Sequence, residues 1–286
     1  GRPSSSAAAL LSYDVPHQAP WGWRVSLYTW TKSIAAGSFG VAALLAITGV
    51  LSWGSPAIRW AAPLLALAFL GVTGVLLIWD LKHPLRFYLI FTRHHWSSWL
   101  VRGSFIIGGY GAVVALFVLA ALLGSVPARQ VLAWCGLPLA LATAVYTAYL
   151  LAQAKARDLW QSPLLPAHLA ISAVLAGAAA TLPLLVWLSP GRAVTAAEVM
   201  LAAAASIHIL QMLAETTLPH VTAHAHLAIR EMVRGRFAWF FWPGLVLVAA
   251  SVAAPWIGMV AAPLALAGLL AHEHAYVQAG QSVPLA

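Results

Sequence analysis

Residues 60–79 read WAAPLLALAFLGVTGVLLIW, twenty positions without a charge, and they run directly into residues 79–105, WDLKHPLRFYLIFTRHHWSSWLVRGSF, crowded with Lys, Arg, His and Trp. As a helix, about 20 apolar residues cover the roughly 30 Å of a bilayer's hydrocarbon. The first stretch is therefore a membrane span. The second is the place where a nearly chargeless chain meets water, a partner or a polar ligand.

The whole 286-residue chain repeats this contrast: 62% of it is hydrophobic, 8% is charged, and its mean hydropathy is +0.86. So few polar residues cannot cover a water-facing surface, so the chain is an integral membrane protein. Residues 28–53, 60–79, 103–123, 131–154, 164–188, 195–218, 237–254 and 256–271 make about eight candidate spans. No alternation of a membrane barrel is visible, so they are expected to be helices. This divides the chain into an N-terminal tail (1–27), a transmembrane domain (28–275) and a C-terminal tail (276–286). Gly1–Pro20 lacks the basic, apolar, small-residue pattern of a cleavable signal. The Trp residues gather at the expected span ends, as in an interfacial aromatic belt.

The net charge of +8 resides in short loops. There it sets topology and meets lipid head groups, so nucleic acid is not an expected partner. Twelve Lys and Arg fall on the side of the N-terminus, against Arg59, Arg129 and Arg192 on the other. By the positive-inside rule both termini face the cytoplasm. The single Cys135 excludes a disulfide framework and thiolate-ligated iron–sulfur clusters within this chain. Any redox centre must be His-ligated, a quinone, or held by another subunit.

Polar groups near the spans are the functional candidates, each with a plainer structural reading. Asp80 follows the second span at a depth where a carboxylate needs a cation or a proton, so with His83 it is a candidate for proton exchange. Arg86 reads equally well as a loop lock. Lys32 lies four residues after Tyr28 on the same helical face, where it either snorkels to the interface or binds a ligand carbonyl. Tyr146 can cap a quinone oxygen or join the belt. His208, Gln211 and Glu215 form a helical stripe that suits a proton path or interhelical hydrogen bonds, and Glu198 would extend it toward the other side. His168 and His272 lie near predicted span ends, so no facing pair suits haem. His220, His224 and His226 have helical spacing for zinc, but no metal is expected. Pro138, Pro183 and Pro263 are expected to kink their spans, and Ala35-Ala36-Gly37-Ser38 to allow close helix approach.

WGWRVSLYTWTKSIAAGSFG at the first span, DLKHPLRF and SSWLVRGSF around the following loop, YTAYLLAQAKARDLWQSPLLP, RGRFAWFFWPG and the ending YVQAGQSVPLA together resemble the NrfD/PsrC family, the membrane subunits of polysulfide-reductase-like enzymes. The resemblance covers nearly the whole chain. It implies a haem-free quinone-binding anchor of two four-helix bundles in the bacterial inner membrane. Its partners would be a ferredoxin-like iron–sulfur subunit with [4Fe-4S] clusters and a catalytic subunit, usually of molybdopterin type. Carried over, it favours Tyr28, Lys32, Asp80, His83 and Tyr146 as neighbours of a menaquinone or ubiquinone. Arg86, Arg93, His94, His95 and Arg157 are then expected to face the iron–sulfur partner. Two rivals remain open at this stage: a haem b quinol-oxidising anchor, and a secondary transporter with mid-membrane binding at the sixth span. The transporter reading lacks a visible inverted repeat.

Overall fold

A computed structural model describes residues 21–81, 83–92, 95–218, 220 and 222–283. Lys82, Arg93 and His94, and most of the expected N-terminal tail, lie outside the described residues. The principal helices are α1 (Trp23–Ile47), α2 (Ala62–Trp79, entered through the π-helical turn Ala57–Ala61), α3 (Trp99–Leu122), α4 (Val126–Ala152), α5 (Leu165–Leu188), α6 (Arg192–Thr217), α7 (Ala223–Val233), α8 (Ala238–Ser251) and α9 (Ala261–Gln281). No strand occurs among the described residues.

Among the described residues, seven helical segments are long and apolar enough to cross a membrane. The seventh expected span is α8, whose 14 residues reach only about 21 Å, short of the hydrocarbon thickness. The last expected span, 256–271, is displaced: a short helix (Ala254–Ile257) and a turn at Gly258, with φ +59°, precede α9. That helix then runs to Gln281, beyond the tail boundary expected at 276. Pro263 consequently sits in the first turn of α9, where its missing N–H costs little and no kink follows. Pro138 and Pro183 do lie inside α4 and α5.

Helices α1 to α4 pack as a ring of four, α1 against α2 and α4 and α3 between them; α5, α6, α8 and α9 pack as a second ring. The rings join mainly through α1, which touches α5 and α9 and is the most buried span, and also where α4 meets α5. Gly37 and Gly177 make that junction possible. A Cβ on Gly37 would lie 1.9 Å from the Ala173 carbonyl oxygen, so only glycine lets α1 and α5 meet backbone to backbone. Leu64, Val75, Leu119, Leu141, Leu210 and Val246 point outward and are exposed, as a lipid-facing surface requires.

Several hydroxyls inside α1 bond its own backbone, Thr29 Oγ1 donating to the Ser26 carbonyl and Ser33 Oγ to the Thr29 carbonyl, while Thr31 Oγ1 lies 2.9 Å from Thr73 Oγ1 on α2. The two ends of the molecule are tied separately. At one end, Trp21 stacks on Trp160, Gln281 bonds the Trp21 backbone, and Gln153 Oε1 accepts from the Trp99 N–H. At the other, Arg129 donates to the Trp53 carbonyl and Arg59 to the Ala121 carbonyl. The polar loops after α2, α4 and α6 share the first end.

Candidate functional site

Lys32 lies about two and a half turns inside the first end of α1, one turn beyond Tyr28, and it has no solvent exposure. Its Nζ donates to the Ala144 carbonyl and to Thr147 Oγ1, both at 2.6 Å on α4, and lies 4.9 Å from the centre of the Tyr146 ring. Two of its three N–H groups are thus committed. Gly103 of α3 shapes the wall behind Tyr146, since a Cβ there would come within 2.3 Å of that ring. Tyr28 and Tyr146 are both buried, and Glu273 of α9 is buried close enough for its charge to act on Lys32. Tyr28 and Lys32, paired in the sequence by their spacing, and Tyr146, singled out apart from them, are therefore brought together. Tyr149 is not: it faces outward and stacks on Trp99.

An apolar groove of about 150 Å³ runs beside this cluster between α1, α4 and α5. Ala36, Gly37, Gly40, Ala140, Ala144 and Ala173 line it. The residue whose carbonyl holds Lys32 thus also forms the groove's wall. Small side chains keep this path open where larger ones would close it.

Asp80 caps the C-terminal end of α2 and is half-buried. Burial pushes its carboxyl above the usual carboxylate range, and the nearby Arg24 cation pulls it part of the way back. Arg24 itself lies over the Trp79 ring, 4.4 Å from its centre. His83, Arg86 and His95 are exposed on the loop, beside exposed Leu85, Phe87 and Tyr88. Arg157 behaves differently from these. It is 5% exposed and donates to the Val283 carbonyl, so it anchors the chain's own C-terminal segment instead of joining the outer face expected for it.

The second ring holds another polar group. His168 of α5, His208 of α6 and His272 of α9 are all buried, with ring centres 4.7, 5.1 and 5.2 Å apart. Their ligand-bearing atoms all lie within 4.8 Å of one another. Neither nitrogen of His208 nor of His272 has a hydrogen-bond partner. Toward the first end, Gln211 and Glu215 continue the face of α6. Glu215 accepts from Ser162 Oγ and lines an open cleft of about 360 Å³ with His220 and Asp158. His224 faces Asp158 at 3.9 Å. In the other direction the row stops: VMLAAAASI separates Glu198 from His208, and Glu198 lies by Gly258 at the far end.

The two buried groups are neighbours. His272 and Glu273 are consecutive on α9, so one turns to the histidines and the other toward Lys32. Tyr276, one turn on, packs against His168 and His272. Sequence reasoning missed Glu273 and the histidine trio because it ended the last span at 271. The available signal was the four-residue spacing of His272, Tyr276 and Gly280 in HEHAYVQAGQ, which continues a packed helical face.

A protein-family model described as Polysulphide reductase, NrfD matches residues 12–284. No curated protein matches the chain.

Proposed function

Because the chain belongs to the NrfD family, whose members are membrane subunits of oxidoreductase complexes, we propose that it is a quinone-binding anchor. In this reading it exchanges electrons between a ferredoxin-like subunit carrying [4Fe-4S] clusters and the menaquinone or ubiquinone pool. A catalytic subunit of molybdopterin type completes the complex in the bacterial inner membrane, with both termini cytoplasmic. One observation carries the reading: Lys32 is fully enclosed, keeps one ammonium N–H uncommitted, and bonds the carbonyl of Ala144, a residue that lines an apolar groove. A cation-type donor held beside a hydrocarbon path suits an amphipathic ligand with a carbonyl head and a lipid tail.

When bound, a quinone supplies the paired electron and proton chemistry. The chain's own residues orient it and handle protons. Lys32 donates to a head-group carbonyl, and the Tyr28 and Tyr146 hydroxyls are placed to do the same. Small residues of α1, α4 and α5 exclude water from the tail. Asp80, whose raised proton affinity places it nearer to neutral exchange than an ordinary carboxylate, passes protons to the loop surface with His83. Arg86 and His95, with Leu85, Phe87 and Tyr88 around them, form the docking face for the iron–sulfur subunit, and Arg93 and His94 belong to the same loop. The mixture of aromatic and cationic groups is that of protein interfaces. Glu215, Gln211 and His208 offer a proton route from the cleft toward Glu273; Glu198 needs other helices or water to join it.

The test is reoxidation of the reduced iron–sulfur signal in the purified complex on adding a short-chain quinone. Saturable reoxidation is expected. An intact complex that binds no quinone would reduce the chain to a tether.

A further inference from the structure

We propose that His168, His208 and His272 form a binding site for one transition-metal ion, Zn²⁺ or Cu⁺, which pins α5, α6 and α9 together inside the second helical ring. Three helices deliver the same side chain to one buried point, and the ligand-bearing atoms already lie within 4.8 Å. No hydrogen bond joins the rings, and four nitrogens on His208 and His272 have no partner at all. Each such orphan forfeits the hydrogen bonds it would make in water, so an unliganded cluster of this kind is expensive to keep in a membrane interior. A metal ion resolves the cost for one lone pair on each ring.

The donor set selects the ion. Imidazole nitrogen suits zinc and copper, and three such ligands with a fourth position open is a common arrangement for zinc. Bonds of about 2.0–2.1 Å to a tetrahedral ion bring the nitrogens to about 3.4 Å from one another, a closure that rotation of the rings supplies. The rings are too close together to sandwich a porphyrin. Gln211 stands one turn from His208 on the same face of α6, with Oε1 lacking a partner. The site goes beyond the quinone reading and does not depend on it: an occupied site puts a bound water, in place of a free ring, at the head of the Gln211–Glu215 row.

The experiment is elemental analysis of the full chain, purified in detergent without added metal, beside His208→Ala and the control His224→Ala, whose side chain faces Asp158 outside the trio. The expected result is about one Zn or Cu per chain, retained in His224→Ala and reduced at least roughly tenfold in His208→Ala. The element found tells the two ions apart. Should His208→Ala fail to fold, X-ray absorption at the metal edge of the native chain replaces it, with a first shell of three imidazole nitrogens expected. Chelator-treated native chain should also gain thermal stability on addition of Zn²⁺ or Cu⁺. A metal-free native chain whose melting is unmoved by either ion overturns the proposal and leaves the trio as a hydrated polar cluster. None of these readouts involves quinone, so the two readings fail separately.

Discussion

Lys32 Nζ on α1 reaches across the first helical ring and donates to Thr147 Oγ1 on α4 at 2.6 Å. This bond, with the one to the Ala144 carbonyl, holds the only buried lysine among the described residues against Tyr146 and against a residue that lines the apolar groove. Replacing Lys32 with Met preserves most of the volume and removes the donor. A charge-assisted hydrogen bond is worth about 1.5–3 kcal/mol, so quinone-linked turnover in membranes should fall about 10- to 100-fold. Subunit stoichiometry after purification should be unchanged.

Asp80→Asn should abolish quinone-linked turnover while the complex still assembles; unchanged turnover would remove Asp80 from the proton step. Its stability effect has a definite sign. Burial raises the folded-state proton affinity of Asp80, so the stability it contributes is present at low pH and is lost as pH rises through its folded-state value. The Asn variant should thus melt at the same temperature as the native chain, or slightly higher, at neutral pH. The native chain should gain relative to it as pH falls into the carboxylate range. Thermal melts across pH measure this directly.

The junction of the two rings rests on Gly37 and Gly177. Gly37→Ala drives a methyl into the Ala173 carbonyl and should destabilise the chain by about 1–3 kcal/mol. Gly74→Ala meets nothing within 4 Å and should be neutral or mildly stabilising. Tryptophan fluorescence melts in detergent compare the two.

Glu215 connects the open cleft to the buried stripe of α6. Glu215→Gln retains the shape and the hydrogen bond to Ser162 but carries no exchangeable acid. In liposomes the variant should show slower proton movement per electron transferred while iron–sulfur reduction is unaffected. Equal proton movement in both proteins would take the row out of the route.

Legibility in the sequence followed the physics of each feature. Uninterrupted apolar runs such as 60–79 can do little except span lipid, so the helices and the polar loop side were readable. The clustering of Tyr28 with Lys32 followed from their four-residue spacing, whereas Tyr146 needed α4 to be placed against α1. The short α8 and the displaced α9 were hidden, because 237–271 is apolar throughout and only the turn at Gly258 decides where the chain reverses. The histidine trio was hidden for the same reason: its members come from helices far apart in sequence, and none marks the others. Arg157 looked like the other loop cations, and only its bond to Val283 shows it turned inward.

The most direct measurement of the central claim is photo-crosslinking of an azidoquinone to the purified complex, with the labelled peptides identified by mass spectrometry. The account predicts saturable labelling of α1 around residues 28–40 and of α4 around residues 140–147, competed by unlabelled quinone and strongly reduced in Lys32→Met. Labelling confined to other helices, or labelling that neither saturates nor responds to Lys32→Met, would contradict it.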